Sequence, residues 1–253
     1  MELNLVKPEW IQVNDDLQYD CVKIGPDQNH PIITVDNVLA NPDEFVKNIV
    51  EKAPAEFNDL SNPEEVFPGY QAHLSMGFPD IQKLVTLFIN KFTDFSDCVA
   101  EEMRFSHQLN IMYSDVKCKR LQLQPHVDPA MFAYVLYLNP EEECKGGTSF
   151  YEHKHCGIVN MENVDKRFKR TENYWNYKEW QYDFYNQKKD DEIELDTALI
   201  EEEYVEELMV SMKFNRLVIY PSYVWHHAVI RPGWYTDNPR VSMSGFVAAD
   251  YFL

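Results

Sequence analysis

Beyond about Met103 the chain breaks into short apolar runs that are too brief for helices and are rich in β-branched and aromatic side chains. Met131 to Leu138 is nearly continuous in apolar residues. Gly147 to Tyr151, Arg216 to Tyr220 and Arg240 to Val247 follow, each set off by Gly, Pro, Asn or Ser. Several short strands with turn signals between them must bury a shared face, so a sandwich or barrel is expected. Leu121 to Gln124 alternates apolar and polar side chains and reads as a further strand.

The first hundred residues mix both periods. Pro31 to Val38 reads as a β-branched strand. Asn41 then offers an N-cap, Pro42 the first helical position, and Asp43 and Glu44 an acidic first turn. Phe45, Val46, Ile49 and Val50 would form one face of that helix. A second helix is expected from Pro79 to about Phe92, with Ile81, Leu84, Val85, Phe88 and Phe92 facing inward. Asn62-Pro63 and Pro68-Gly69 mark loop. The class is therefore α+β, mainly β, in one domain over 1–253: a strand and helix support over 1–102 and a β core over 103–249. Residues 160–208 interrupt that core. They hold the basic run Lys166 to Arg170, a dense set of Trp and Tyr, and then an acidic stretch, and they read as an insertion between two core strands.

The formal charge is −19. A chain this acidic is a poor match for nucleic-acid phosphates or an anionic membrane surface. Five cysteines, odd in number and without a CxxC pair, do not suggest a disulfide framework or a Cys-rich zinc site. No signal peptide and no apolar run long enough to span a bilayer is visible, so a reducing, cytoplasmic setting is expected. The acidity points weakly to a cationic or amine-bearing substrate, such as a free or peptide-borne amino acid.

The sharpest local feature is Pro125-His126-Val127-Asp128. On a strand, alternate side chains share a face, so His126 and Asp128 would offer an imidazole and a carboxylate to one metal. A third ligand from elsewhere would complete a two-histidine, one-carboxylate triad with open positions. Trp225-His226-His227 supplies two candidates, of which only one can face a given metal if they lie on a strand. Arg240 opens an alternating strand with Ser242 and Ser244 on its face, a rigid fork with hydroxyl neighbours suited to a carboxylate. Gln122 and Gln124 share the face of His126. His153 and His155 form a second, weaker His-x-His pair. Tyr113, Tyr134 and Tyr137 read as core aromatics, any one of which could donate to a bound anion.

In order, the chain carries His126-x-Asp128, Tyr137-Leu138-Asn139, Gly146-Gly147-Thr148-x-Phe150, Pro221-Ser222-x-x-x-His226 and Arg240-x-Ser242-x-Ser244. This ordered set, over about residues 103–249, resembles the iron(II)- and 2-oxoglutarate-dependent dioxygenase superfamily, in its prolyl-hydroxylase-like branch. The resemblance implies a double-stranded β-helix (jelly-roll, cupin-like) core. It implies that His126, Asp128 and His226 hold Fe(II), with His226 preferred over His227, and that Arg240, with Ser242, grips the distal carboxylate of 2-oxoglutarate. Molecular oxygen would be co-reactant, and hydroxylation of a C–H bond in a small-molecule or peptide substrate the expected outcome, since the carboxylate that halogenating relatives lack is present at Asp128. A non-catalytic binding module and a cupin-like metalloenzyme that needs no oxoacid are the alternatives.

Overall fold

Strand β7 (Phe132–Tyr137) is buried along its whole length. Phe132, Tyr134 and Leu136 join one apolar cluster, and Ala133, Val135 and Tyr137 join another. Successive side chains on a strand point to opposite faces, so β7 is the middle of three layers. The computed structural model describes residues 7–58, 67–75, 77–93, 103–119, 124–128, 130–154, 157–158, 192–193 and 200–249.

The middle layer is an eight-stranded antiparallel sheet. Its strands are β1 (Gln18–Ile24), β2 (His30–Asp36), β3 (Glu56–Phe57), β4 (Tyr70–His73), β5 (Met103–Met112), β7, β11 (Leu217–Pro221) and β13 (Arg240–Ala249). They run in the order β1-β2-β11-β7-β13-β5-β4-β3. One layer beyond it is helical. α1 (Pro42–Phe45) runs into a π turn at Val46–Val50, and α2 spans Pro79–Phe92. Ile81, Leu84, Val85, Phe88 and Ile89 of α2 pack with Ile33, Val35, Leu217, Ile219, Met243 and Val247 of the sheet. Burying each such side chain contributes roughly 1.5–3 kcal/mol. The other outer layer is a three-stranded sheet in the order β10-β8-β12, formed by β8 (Gly147–His153), β10 (Tyr204–Ser211) and β12 (Trp225–Val229). Phe150 and Val210 of that sheet pack on Ile32, Val218 and Tyr220 of the large one. A short pair, β6 (Cys118–Lys119) with β9 (Glu192–Ile193), lies outside both sheets. No helix among the described residues is long and apolar enough to cross a membrane.

Some expectations change. The α2 span holds, and the strand runs hold to within a few residues. Asn41 does not cap α1: its side-chain amide donates instead to the Glu9 carbonyl at 3.1 Å. The helix after Phe45 widens to a π turn, which still buries Ile49 and Val50. The proposed insertion is too long at its end, because α3 (Ile200–Glu203) leads into β10, which pairs with β8 from Tyr204 onward. Residues 121–123, Asn62-Pro63, His155 and the aromatic and basic part of the insertion lie outside the described residues.

Candidate metal centre

His126 and Asp128 sit on a short segment rather than in a strand. The segment joins the small sheet by a single bridge, His126 to His226, with both backbone hydrogen bonds at 2.9 Å. A buried serine holds the rest of it. Asp128 donates its N–H to the Ser222 carbonyl at 2.9 Å, Ser222 donates its own N–H to the Met131 carbonyl at 3.2 Å, and its hydroxyl donates to the Ala130 carbonyl. The Pro221-Ser222 turn thus clasps the loop that carries Asp128, which gives a structural reason for a small hydroxyl residue between β11 and the second histidine.

One metal-ligating atom from each of His126, Asp128 and His226 lies within 4.8 Å of the others. His226 Nε2 stands 3.1 Å from Asp128 Oδ2, and His126 Nε2 stands 3.8 Å from Oδ1. The Nδ1 atoms face backward, His226 Nδ1 to the Val224 carbonyl at 2.9 Å and His126 Nδ1 to the Gln124 carbonyl at 3.4 Å. A carbonyl can only accept, so each ring carries a proton on Nδ1 and points Nε2 at the shared point, where it bonds Asp128 when protonated and can ligate a metal when it is not. That is how a backbone carbonyl prepares a histidine to ligate. Burial pushes the Asp128 carboxyl upward, but the charge and hydrogen bond of His226, with His126 beside it, hold it below the usual carboxylate range. His126 is the exposed member, with 52% of its side chain accessible against 5% for His226, so the centre opens on that side.

His227 lies on the opposite face of β12, toward Tyr151, as strand alternation requires. Burial, then its neighbours His126, Arg240 and His226, pull its imidazole down to about 3, so it stays neutral. Its Nδ1 is buried without a partner.

Arg240 lies at the start of β13 on the inner face, 3% exposed. Its guanidinium carbon is 5.4 Å from the centroid of the Tyr137 ring, its Nη1 donates to Ser242 Oγ at 3.4 Å, and its Nε has no partner. Among the described residues no carboxylate pairs with it. Tyr137 hydroxyl meets Thr148 Oγ1 at 2.7 Å, which ties the two sheets together beside this guanidinium. A buried, incompletely partnered cation is costly unless an anion joins it. Its geometry therefore suits a carboxylate arriving between the sheets, and the donor set of the triad suits a ferrous ion. Gln124 is also buried, with both amide atoms unpartnered. Of the other candidates, Tyr134 points to the helical side and bonds His107, and His153 packs between Tyr204 and Trp225 on the outside of the small sheet.

The chain belongs to the family described as a family of unknown function, DUF6445, whose model matches residues 15–242. A search of curated proteins finds no match. Among solved structures, the chain is similar to a prolyl-4-hydroxylase of Pseudomonas putida, at 15% identity and a TM-score of 0.37, with 74% of this chain and 76% of that one covered. It is also similar to EvdO2 of Micromonospora carbonacea var. aurantiaca complexed with 2-oxoglutarate, at 11% identity and a TM-score of 0.44, covering 92% and 94%. The non-heme alpha-ketoglutarate-dependent epimerase SnoN from nogalamycin biosynthesis matches at 12% identity and a TM-score of 0.44, covering 88% and 80%.

Proposed function

We propose that the protein is an iron(II)- and 2-oxoglutarate-dependent oxygenase of the prolyl-hydroxylase-like kind, built as a single jelly-roll domain over 1–253. It would hydroxylate a C–H bond of an amino acid, a peptide or a related small molecule in a cytoplasmic setting. His126, Asp128 and His226 would hold the iron, and Arg240 with Ser242 the distal carboxylate of 2-oxoglutarate. When bound, the iron would supply the redox chemistry that couples oxygen to decarboxylation of the cosubstrate. The chain's own part is to present two Nε2 lone pairs and a carboxylate at one point, and to keep buried, on the facing sheet, a cation with no carboxylate partner among the described residues. The observation that carries the reading is a two-histidine, one-carboxylate cluster together with a buried Arg240 guanidinium whose Nε is unpartnered.

The test is anaerobic titration of 2-oxoglutarate into the Fe(II)-loaded protein, followed in air by succinate release. Joint binding and succinate formation, both lost in Asp128→Ala, support the proposal. Turnover that survives Arg240→Ala would instead support a cupin-like enzyme that needs no oxoacid. A chain that takes up no divalent metal under reducing conditions would be a binding module.

A further inference from the structure

A cavity of about 490 Å³ opens on the inner face of β5 and β13, lined by Arg104, Ser106, Gln108, Ala130 and Phe246 among others. Ala130 belongs to the loop that carries Asp128 and donates its N–H back to the Asp128 carbonyl at 2.9 Å. The cavity therefore begins where the candidate metal centre ends. Gln108 in its wall is the end of a relay of side-chain amides that runs outside the cavity through separate elements. Asn58 donates to the Phe67 carbonyl at 2.9 Å and to Gln71 Oε1 at 3.0 Å. Gln71 Nε2 donates to Gln108 Oε1 at 3.0 Å and to Asn110 Oδ1 at 2.8 Å. Asn110 Nδ2 donates in turn to Ser244 Oγ at 2.8 Å.

This relay has one direction. A backbone carbonyl only accepts, so the Asn58 atom facing Phe67 is nitrogen. Gln71 must then receive through its oxygen and give through its nitrogen. Gln108 must in turn use its oxygen toward Gln71, which leaves its NH₂ group for the cavity it lines. A main-chain oxygen far from the cavity thus fixes Gln108 as a donor. Below it, Phe246 and Ala130 offer an apolar surface.

We propose that this cavity seats the substrate, and that the substrate is held through a carbonyl or carboxylate oxygen on Gln108 Nε2 with an apolar body against Phe246. This rests on the oxygenase reading for its catalytic meaning and runs against the cationic substrate suggested by net charge. The sum of surface charge does not set the polarity of one wall.

Three probes with one body test it: 3-phenylpropanoate, 3-phenylpropanamide and 3-phenylpropylamine. Each is titrated into the full chain, with and without Fe(II) and 2-oxoglutarate under nitrogen, and followed by the Gln108 side-chain amide signal and by calorimetry. Wild type is expected to bind the acid or the amide at least roughly tenfold more tightly than the amine, and the order of those two tells carboxylate from carbonyl recognition. Gln108→Glu keeps an oxygen for Gln71 but turns the other oxygen to the cavity, so it should reverse the preference toward the amine. Gln71→Leu, outside the cavity, frees the Gln108 amide to turn and should shrink the preference in a chain whose backbone spectrum is unchanged. Equal binding of all three probes, tighter binding of the amine by wild type, or an unchanged order in Gln108→Glu would overturn the proposal. The ranking needs no turnover. A ranked but iron-free protein would therefore retain this seat and lose the oxygenase reading, and iron binding without ranking would do the reverse.

Discussion

His226 Nε2 lies 3.1 Å from Asp128 Oδ2, while the Nδ1 of the same ring is committed to the Val224 carbonyl at 2.9 Å. One face of this imidazole is thus spent on orientation and the other is aimed at a carboxylate. His226→Ala and Asp128→Ala should each lower Fe(II) affinity by roughly two orders of magnitude or more. Anaerobic metal titration reads this directly. Wild-type affinity in either variant would remove the triad from the account.

Arg240 gives a prediction with two opposite signs. Arg240→Met removes a buried guanidinium whose Nε lacks a partner, so the ligand-free protein should become no less stable, or more stable by about 1–4 kcal/mol. The same variant should lose protection by 2-oxoglutarate, which for wild type would amount to about 2.7 kcal/mol at a hundred times Kd. Urea unfolding with and without the oxoacid separates the two effects. A destabilised variant that still gains from 2-oxoglutarate would contradict both.

Stability should fall with acid through His107. The ring is 4% exposed and bonds Tyr134 hydroxyl at 2.6 Å, and burial pulls its pKa down to about 4 from 6.5. Between those values the unfolded chain holds the proton and the folded one does not. The unfolding free energy therefore declines as pH drops below about 6.5 and stops declining from this source near 4, by up to about 3 kcal/mol in all. His107→Gln should flatten the difference between pH 7 and pH 5 by about 2 kcal/mol in denaturant titrations. An unchanged slope would show that His107 does not drive it.

Two glycines with similar backbones should respond differently to alanine. Gly146 has φ +68, and a Cβ there would collide with the Val229 carbonyl oxygen; Gly233 has φ +77 and nothing within 4 Å. Gly233→Ala should cost only the left-handed conformation, about 1–2 kcal/mol. Gly146→Ala adds overpacking at the junction of β8 and β12 and should cost about 1–3 kcal/mol more. Thermal unfolding of both variants checks the order.

Local periodicity made much of this legible. The inward stripe of α2, the continuous apolar runs of β7 and β11 and the alternation of β13 are properties of consecutive residues, and His126-x-Asp128 lies within one short segment. What escaped depended on partners far along the chain. Edge strand β10 is exposed at most positions and rich in glutamate, so its pattern read as solvated insertion. β1 is likewise exposed along most of its length. Asn41 had the composition of a cap but found the Glu9 carbonyl. His126 and Asp128 share a target because Ser222, almost a hundred positions away, grips their loop. The amide relay joins Asn58, Gln71, Gln108, Asn110 and Ser244, and no spacing among them announces it.

Strand β13 alternates between two tasks. Arg240, Ser242, Ser244 and Phe246 look toward the cavity side, while Met243 and Val247 look toward the helices. Selection can therefore retune what the protein accepts at every second position of one strand and leave the intervening positions to guard its folding. A lineage could diversify its chemistry here by small steps without passing through unfolded ancestors.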